Sequence, residues 1–156
     1  MKFNSQICTT RFQSETLLKL GLNKETADMT IHLKGDSGWY VTAEPFYEWE
    51  DDMNTLPSLE ETEQILPAWS LHRLIEMMPQ TIEYNSELLE LSVAGGLVIQ
   101  YATSNNEKAE IFFSDRLYLS VISCIEWLIK EGYFNEEYLV DAFRYAFEVM
   151  KAKKEE

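Results

Sequence analysis

Two histidines are the first residues that could serve as metal ligands or general bases. His32 and His72 lie 40 residues apart, and the sequence contains neither an HxxxH nor an HExxH spacing. His32 shares with Thr30 the face of a strand that we predict to be polar. His72 is placed to pair with Glu76 one helical turn later. Lone histidines without ligand spacing carry little specificity, so we predict neither a metal site nor a catalytic role for them.

Motifs for nucleophilic catalysis and phosphate binding are also missing from the sequence. No GxSxG, GxxxxGK[ST] or GxGxxG pattern occurs. Cys8 and Cys124 form no CxxC pair, and nothing in the sequence indicates a lowered thiol pKa. We therefore predict no catalytic residue and no cofactor. We consider three classes of function, and an enzyme with an unrecognised site is the one that we favour least.

An acidic segment interleaved with aromatic residues is the most unusual part of the sequence. No Lys or Arg occurs between Lys34 and Arg73. The EF-hand ligand spacing and its glycine are absent, so we predict no metal site there. Large aromatic side chains need burial, either in the core, which we favour, or against a partner protein. The candidate partner-binding residues are Phe46, Tyr47, Glu48, Trp49, Glu50, Asp51 and Asp52.

The charge balance excludes some partners and suggests another. Thirteen basic against 27 acidic residues leave a net charge of −14. This charge argues against direct nucleic-acid binding and against anionic membrane surfaces. An acidic inhibitor that mimics DNA is the second function class. Residues 44–52, if extended, carry one charge per about 6 Å, against about 1.7 Å for duplex DNA, so mimicry would need further acidic faces.

Alternating apolar residues predict an antiparallel sheet of about five strands. Two hairpins are expected, one of them turning at Gly95-Gly96. The predicted strands are 30–34, 39–42, 89–93, 97–102 and 109–113. Helices are expected from Ser14 to Gly21, from Ser70 to Pro79, from Ser114 to Gly132 and from Asn135 onward. The pattern predicts an α+β fold in which two long C-terminal helices and one or two short helices pack on the sheet.

The length of the chain and the positions of its prolines predict the domain organisation. A chain of 156 residues fits a single domain, 1–156. Prolines interrupt 44–66, which we predict to be a long acidic loop. Two isolated cysteines and the lack of a long apolar run predict a cytoplasmic protein that does not bind membranes.

Several stretches resemble uncharacterised short acidic proteins encoded in prophage and other mobile-element clusters of gut bacteria. The stretches are Leu20-Gly21-Leu22, Thr26-Ala27-Asp28-Met29, Pro67-Ala68-Trp69-Ser70-Leu71, Leu74-Ile75, Met78-Pro79 and Ile125-Glu126-Trp127-Leu128-Ile129-Lys130-Glu131-Gly132-Tyr133. The resemblance is spread over most of 8–140 and implies a mobile-element context without any catalytic residue. We therefore expect an accessory protein that is a non-enzymatic protein-interaction module. Its protein partner and its oligomeric state are left open.

Overall fold

The folded chain divides into two compact units, Met1–Arg73 and Leu74–Glu156. The computed structural model describes residues 6–34, 38–46 and 63–155. Each unit has its own antiparallel sheet. The prediction that 1–156 forms a single domain stays a prediction.

The first unit combines a helix with a three-stranded sheet. Its elements are α1 (Arg11–Lys19), a 3₁₀ turn (Lys24–Thr26), β1 (Met29–Lys34), β2 (Trp39–Thr42) and β3 (Glu63–Ala68). The strand order is β2-β1-β3, so β1 is central. The predicted hairpin of β1 and β2 is confirmed, with Leu33 opposite Trp39 and Ile31 opposite Val41.

Strand β3 corrects part of the predicted acidic loop. It pairs with β1 from Lys34↔Glu63 to Met29↔Ala68, so the last residues of 44–66 are a strand. Pro67 lies within β3 and lacks an N–H donor. A proline is tolerated there because β3 is an outer strand of its sheet. Residues 47–62 of the predicted loop lie outside the described residues.

Helix α1 begins earlier than the sequence predicts. Thr10 is the N-cap, and its hydroxyl accepts a hydrogen bond from the Gln13 N–H at 3.3 Å. The Gln13 side chain accepts in turn from the Thr10 N–H at 2.9 Å, which completes a capping box. Ser14, the predicted cap, is buried inside the helix, where its hydroxyl lies 2.8 Å from Thr9 Oγ1. Ser14 lacks a Glu or Gln three residues later, whereas Thr10 has Gln13.

The second unit contains a four-stranded sheet in the order β4-β5-β6-β7 and two longer helices. The strands are β4 (Thr81–Tyr84), β5 (Glu87–Ala94), β6 (Val98–Ala102) and β7 (Ala109–Phe113). The helices are α2 (Leu71–Glu76), in which the division between the units falls, α3 (Leu117–Lys130) and α4 (Asp141–Glu155), and a 3₁₀ turn covers Glu136–Tyr138. The α+β class is therefore confirmed.

Two sheets with seven strands in the described residues replace the predicted single sheet of about five. Strand β4 was not predicted because the turn after it contains no glycine. That turn consists of Asn85 and Ser86, which adopt φ values of 52° and 64°. The hairpin at Gly95-Gly96 is confirmed, although its loop also includes Leu97, since Ala94 pairs with Val98.

The two C-terminal helices begin later than predicted. Helix α3 begins at Leu117 rather than near Ser114. Asn135 caps the 3₁₀ turn, where its Oδ1 accepts from the Glu137 N–H at 3.2 Å, and α4 follows only after the extended, buried Leu139. Helix α3 packs on β6 and β7 and covers one face of the sheet, with the Trp127 ring 5.6 Å from that of Phe112.

Candidate functional site

Of the candidate partner-binding residues, the structure describes Phe46. Its side chain is buried, and its N–H donates to the Ala27 carbonyl at 3.4 Å. Lys24 Nζ lies 5.8 Å from the centroid of the Phe46 ring. Phe46 is therefore packed within the protein, which is the alternative that we favour for the aromatic residues of this segment. Tyr47, Glu48, Trp49, Glu50, Asp51 and Asp52 lie outside the described residues, and their partner-binding role stays a prediction.

An apolar groove of about 570 Å³ opens on the first unit. It lies between the segment that enters α1 and the hairpin of β1 and β2. Its volume falls within the range of about 300–1,000 Å³ that is typical of ligand pockets. We call it the Trp39 groove, and its apolar lining comprises Ile7, Cys8, Ile31, Leu33, Trp39 and Val41.

The register of β1 and β2 builds the floor of the Trp39 groove. Ile31 lies opposite Val41, and Leu33 lies opposite Trp39. Directly paired and alternate residues share a face of the sheet, so these four side chains lie together. Ile31 is buried in a core cluster with Cys8, whereas Trp39 is 70 % exposed. The groove therefore runs from the core of the unit to an exposed tryptophan.

The opposite wall is held by hydrogen bonds to residues distant in sequence. The Thr9 N–H donates to the Trp69 carbonyl at 2.9 Å, and the Trp69 N–H donates to Thr9 Oγ1 at 3.0 Å. Gln6 Nε2 donates to the Cys8 carbonyl at 2.8 Å. These bonds hold the backbone that presents Ile7, whose side chain is exposed.

The ionisable residues of the groove lining are Cys8 and Arg11. Burial raises the pKa of the Cys8 thiol to about 11, and the Asp28 carboxylate adds to this effect. A thiol with this pKa stays protonated at neutral pH and is a poor nucleophile. Arg11 Nε already pairs with Glu15 Oε1 at 2.9 Å. The groove can therefore bind apolar groups.

His32 corrects one expectation about the polar face of β1. Its side chain is buried, and its ring stacks on that of Tyr40 with centroids 4.4 Å apart. Its Nε2 lies 3.1 Å from Thr42 Oγ1. Thr30, on the same face, is also buried. This face is covered because the Tyr40 ring stacks on His32 and because Thr30 Oγ1 donates to the Glu44 carbonyl at 3.0 Å. His72 is exposed. In the described part of the chain, no group of three or more His, Cys, Asp or Glu residues could hold a metal ion.

Sequence reasoning did not identify the Trp39 groove. The alternation along β1 and β2 placed Ile31, Leu33 and Val41 on one face, which was a usable signal. The wall that carries Ile7 has no periodicity, and its position depends on the distant Trp69. A groove formed in this way has no local sequence signature.

Compared with family models, with curated proteins and with solved structures, this chain matches none. Among the described residues, no helix combines the length and the apolar character needed to cross a membrane.

Proposed function

We propose that the protein is a non-enzymatic protein-interaction module whose Trp39 groove receives an apolar segment of a partner protein. The observation that carries the proposal is the exposed Trp39 on the lining of a cavity that extends to the buried Ile31 and Cys8. Tryptophan is enriched among the residues that dominate binding energy at protein interfaces. On the resemblance and the two free cysteines, we further propose a cytoplasmic accessory protein of a mobile element.

The exposure of Ile7 and Trp39 favours a protein segment over a small molecule as the occupant of the groove. Sites for small molecules enclose roughly 70–90 % of the ligand surface. Here Ile7 and Trp39 expose most of their side chains on opposite sides of the groove. A partner whose apolar side chains enter the groove would also cover these two residues. Because Arg11 of the groove lining already pairs with Glu15, the occupant does not have to supply a charged group that neutralises Arg11.

A matched pair of variants tests this proposal. Trp39→Ser removes the exposed groove residue, whereas Phe12→Ser removes an equally exposed aromatic residue that does not line the groove, at 74 % exposure against 70 %. Partners captured from a lysate of the native host are identified by mass spectrometry and purified, and their Kd is then measured. We expect Trp39→Ser to weaken binding by about tenfold or more and Phe12→Ser to leave it unchanged. Equal binding by both variants would contradict the proposal, as would native mass spectrometry that finds a small molecule in the groove.

The alternative function is an acidic, DNA-mimicking inhibitor of a nucleic-acid-binding protein. The net charge of −14 supports it. The two functions differ in what displaces the partner. Duplex DNA would compete with this protein for a mimicked DNA site, whereas it would leave binding through the Trp39 groove unaffected. Competition by duplex DNA against the purified complex therefore distinguishes them.

A further inference from the structure

The outer strand of the second unit's sheet carries exposed apolar side chains. Ile111 and Phe113 alternate along β7, so they lie on the same face. Both are largely exposed, and Phe113 reaches 71 %. Phe112 points to the opposite face, where it contacts Trp127 of α3. The face that α3 covers is therefore not the face that carries Ile111 and Phe113.

The apolar row continues across the neighbouring strands. Phe113 lies opposite Val98, which lies opposite Ala94 on β5. These residues form a contiguous apolar strip on the open face at one end of the sheet. Such strips on a folded domain mark interaction surfaces more often than single exposed residues do.

The edge of β7 is open to another strand. In the described part of the chain, β7 is hydrogen-bonded to β6, and no strand lies on its other side. Natural sheets usually protect such an edge with lysine, proline or a bulge. The β7 sequence, Ala-Glu-Ile-Phe-Phe, contains neither lysine nor proline. An extended segment can therefore pair with this edge through main-chain hydrogen bonds.

Charge determines which segment fits the edge. Glu110 is the one ionisable residue of β7 and lies on the face opposite to Ile111 and Phe113. The nearby Lys108 already pairs with Glu87, with Nζ and Oε1 2.6 Å apart. A second copy of the chain also carries a net charge of −14, so long-range repulsion disfavours the approach of two copies. A cationic side chain opposite Glu110 would instead form a favourable cross-strand pair.

We propose that β7 accepts, as a fifth strand, an extended segment of a partner protein in which apolar residues alternate with Lys or Arg. The apolar residues lie beside Ile111 and Phe113, and the cations lie on the face of Glu110. This proposal specifies a partner chemistry for the proposed interaction function. It is independent of the Trp39 groove, so either can fail alone.

The probe is a fluorescent peptide of about eight residues in which lysine alternates with valine, matching the two-residue period of a strand. Its binding to the full chain is measured by fluorescence anisotropy, beside a peptide of the same composition with all lysines in one block. We expect the alternating peptide to bind more tightly and to slow amide exchange within 109–113. Phe113→Ser and Ile111→Ser should each weaken it by about tenfold. Tyr145→Ser, an equally exposed aromatic on α4 at 73 %, should have no effect.

A second pair of variants tests the charge argument. Glu110→Gln should weaken binding at low salt and lose its effect at high salt, whereas Glu90→Gln, an exposed carboxylate on β5, should change binding little. Equal binding of the two peptides would overturn the proposal. Amide-exchange protection that lies outside β7 would also overturn it. A Phe113→Ser variant that keeps its circular dichroism spectrum and binds the alternating peptide as tightly as the native protein would overturn it too. Concentration-dependent dimerisation that Phe113→Ser abolishes would assign the edge to a second copy and overturn it as well.

Discussion

At the scale of single residues, burial determines the chemistry of the two cysteines. Cys124 is fully buried on α3, where it packs as a small hydrophobic residue. Burial raises the pKa of its thiol to about 12. For Cys8, burial raises the pKa to about 11, with a further contribution from Asp28. Both thiols therefore remain protonated across the physiological pH range.

Thiol alkylation tests this conclusion. At pH 8, the thiolate fraction of Cys8 should be on the order of a hundredfold below that of an exposed cysteine, because its pKa lies about two units higher. Iodoacetamide should modify the folded protein correspondingly slowly, whereas protein unfolded in urea should react at the rate of a free thiol. Mass spectrometry of the intact protein measures both rates. Fast modification of Cys8 in the folded protein would show that its thiol is not buried.

The same pKa shifts affect stability at alkaline pH. The unfolded thiols release their protons near pH 9, whereas the folded Cys8 and Cys124 retain theirs until about pH 11 and about pH 12. The unfolded state then binds fewer protons, so the free energy of unfolding falls as the pH rises above 9. We expect the Cys8→Ala, Cys124→Ala double variant to lose less stability than the native protein between pH 8 and pH 10.5. Urea unfolding at both pH values measures the difference, and equal losses would contradict the assignment.

At the scale of elements, glycines end two helices as the sequence predicts. Gly21 and Gly132 adopt φ values of 96° and 75°. After α1, the Leu22 N–H donates to the Leu17 carbonyl at 3.2 Å, and after α3, the Tyr133 N–H donates to the Leu128 carbonyl at 2.8 Å. These bonds are the six-to-one bonds of a Schellman motif. Helix ends of this type are local, which is why the sequence predicts them.

The hairpin of β5 and β6 offers a clean test of turn strain. Gly96 has a φ of +75°, and a Cβ atom at this position would meet no atom within 4 Å. Gly96→Ala should therefore destabilise the protein by about 1–2 kcal/mol through backbone strain alone. Gly96→Asn should cost less, because asparagine tolerates the left-handed region. Urea unfolding of the three proteins gives the comparison, and an alanine variant as stable as the asparagine variant would contradict this geometry.

At the scale of the whole molecule, we expect apolar burial in each unit to suffice for folding, with no bound metal required. The first unit has a core around Cys8, Ile31 and Ala68. In the second unit, α3 buries Val121, Cys124, Ile125 and Leu128. Much of the charge is acidic, and carboxylates attract cations weakly wherever they cluster. We therefore expect cations to affect stability only by screening the repulsion among the carboxylates.

Thermal unfolding with and without a chelator tests this expectation. The midpoint should not change when EDTA is added at constant ionic strength if, as we predict, folding requires no bound metal. Sodium chloride should raise the midpoint modestly, because it screens repulsion among the carboxylates. Circular dichroism follows both transitions. A fall of several degrees with EDTA that calcium or zinc reverses would demonstrate a structural metal.

The amino-acid sequence alone determined the α+β class, the two predicted hairpins and the helix ends at Gly21 and Gly132. Each depends on side-chain alternation or on a backbone angle that favours glycine, so the signal lies within a few residues. The tertiary structure decided that the strands form two sheets, that the His32 face is buried and that the Trp39 groove exists. These features depend on partners far apart in sequence, such as Thr9 and Trp69, which are 60 residues apart. No local pattern encodes such a contact, because it forms only when whole elements pack together.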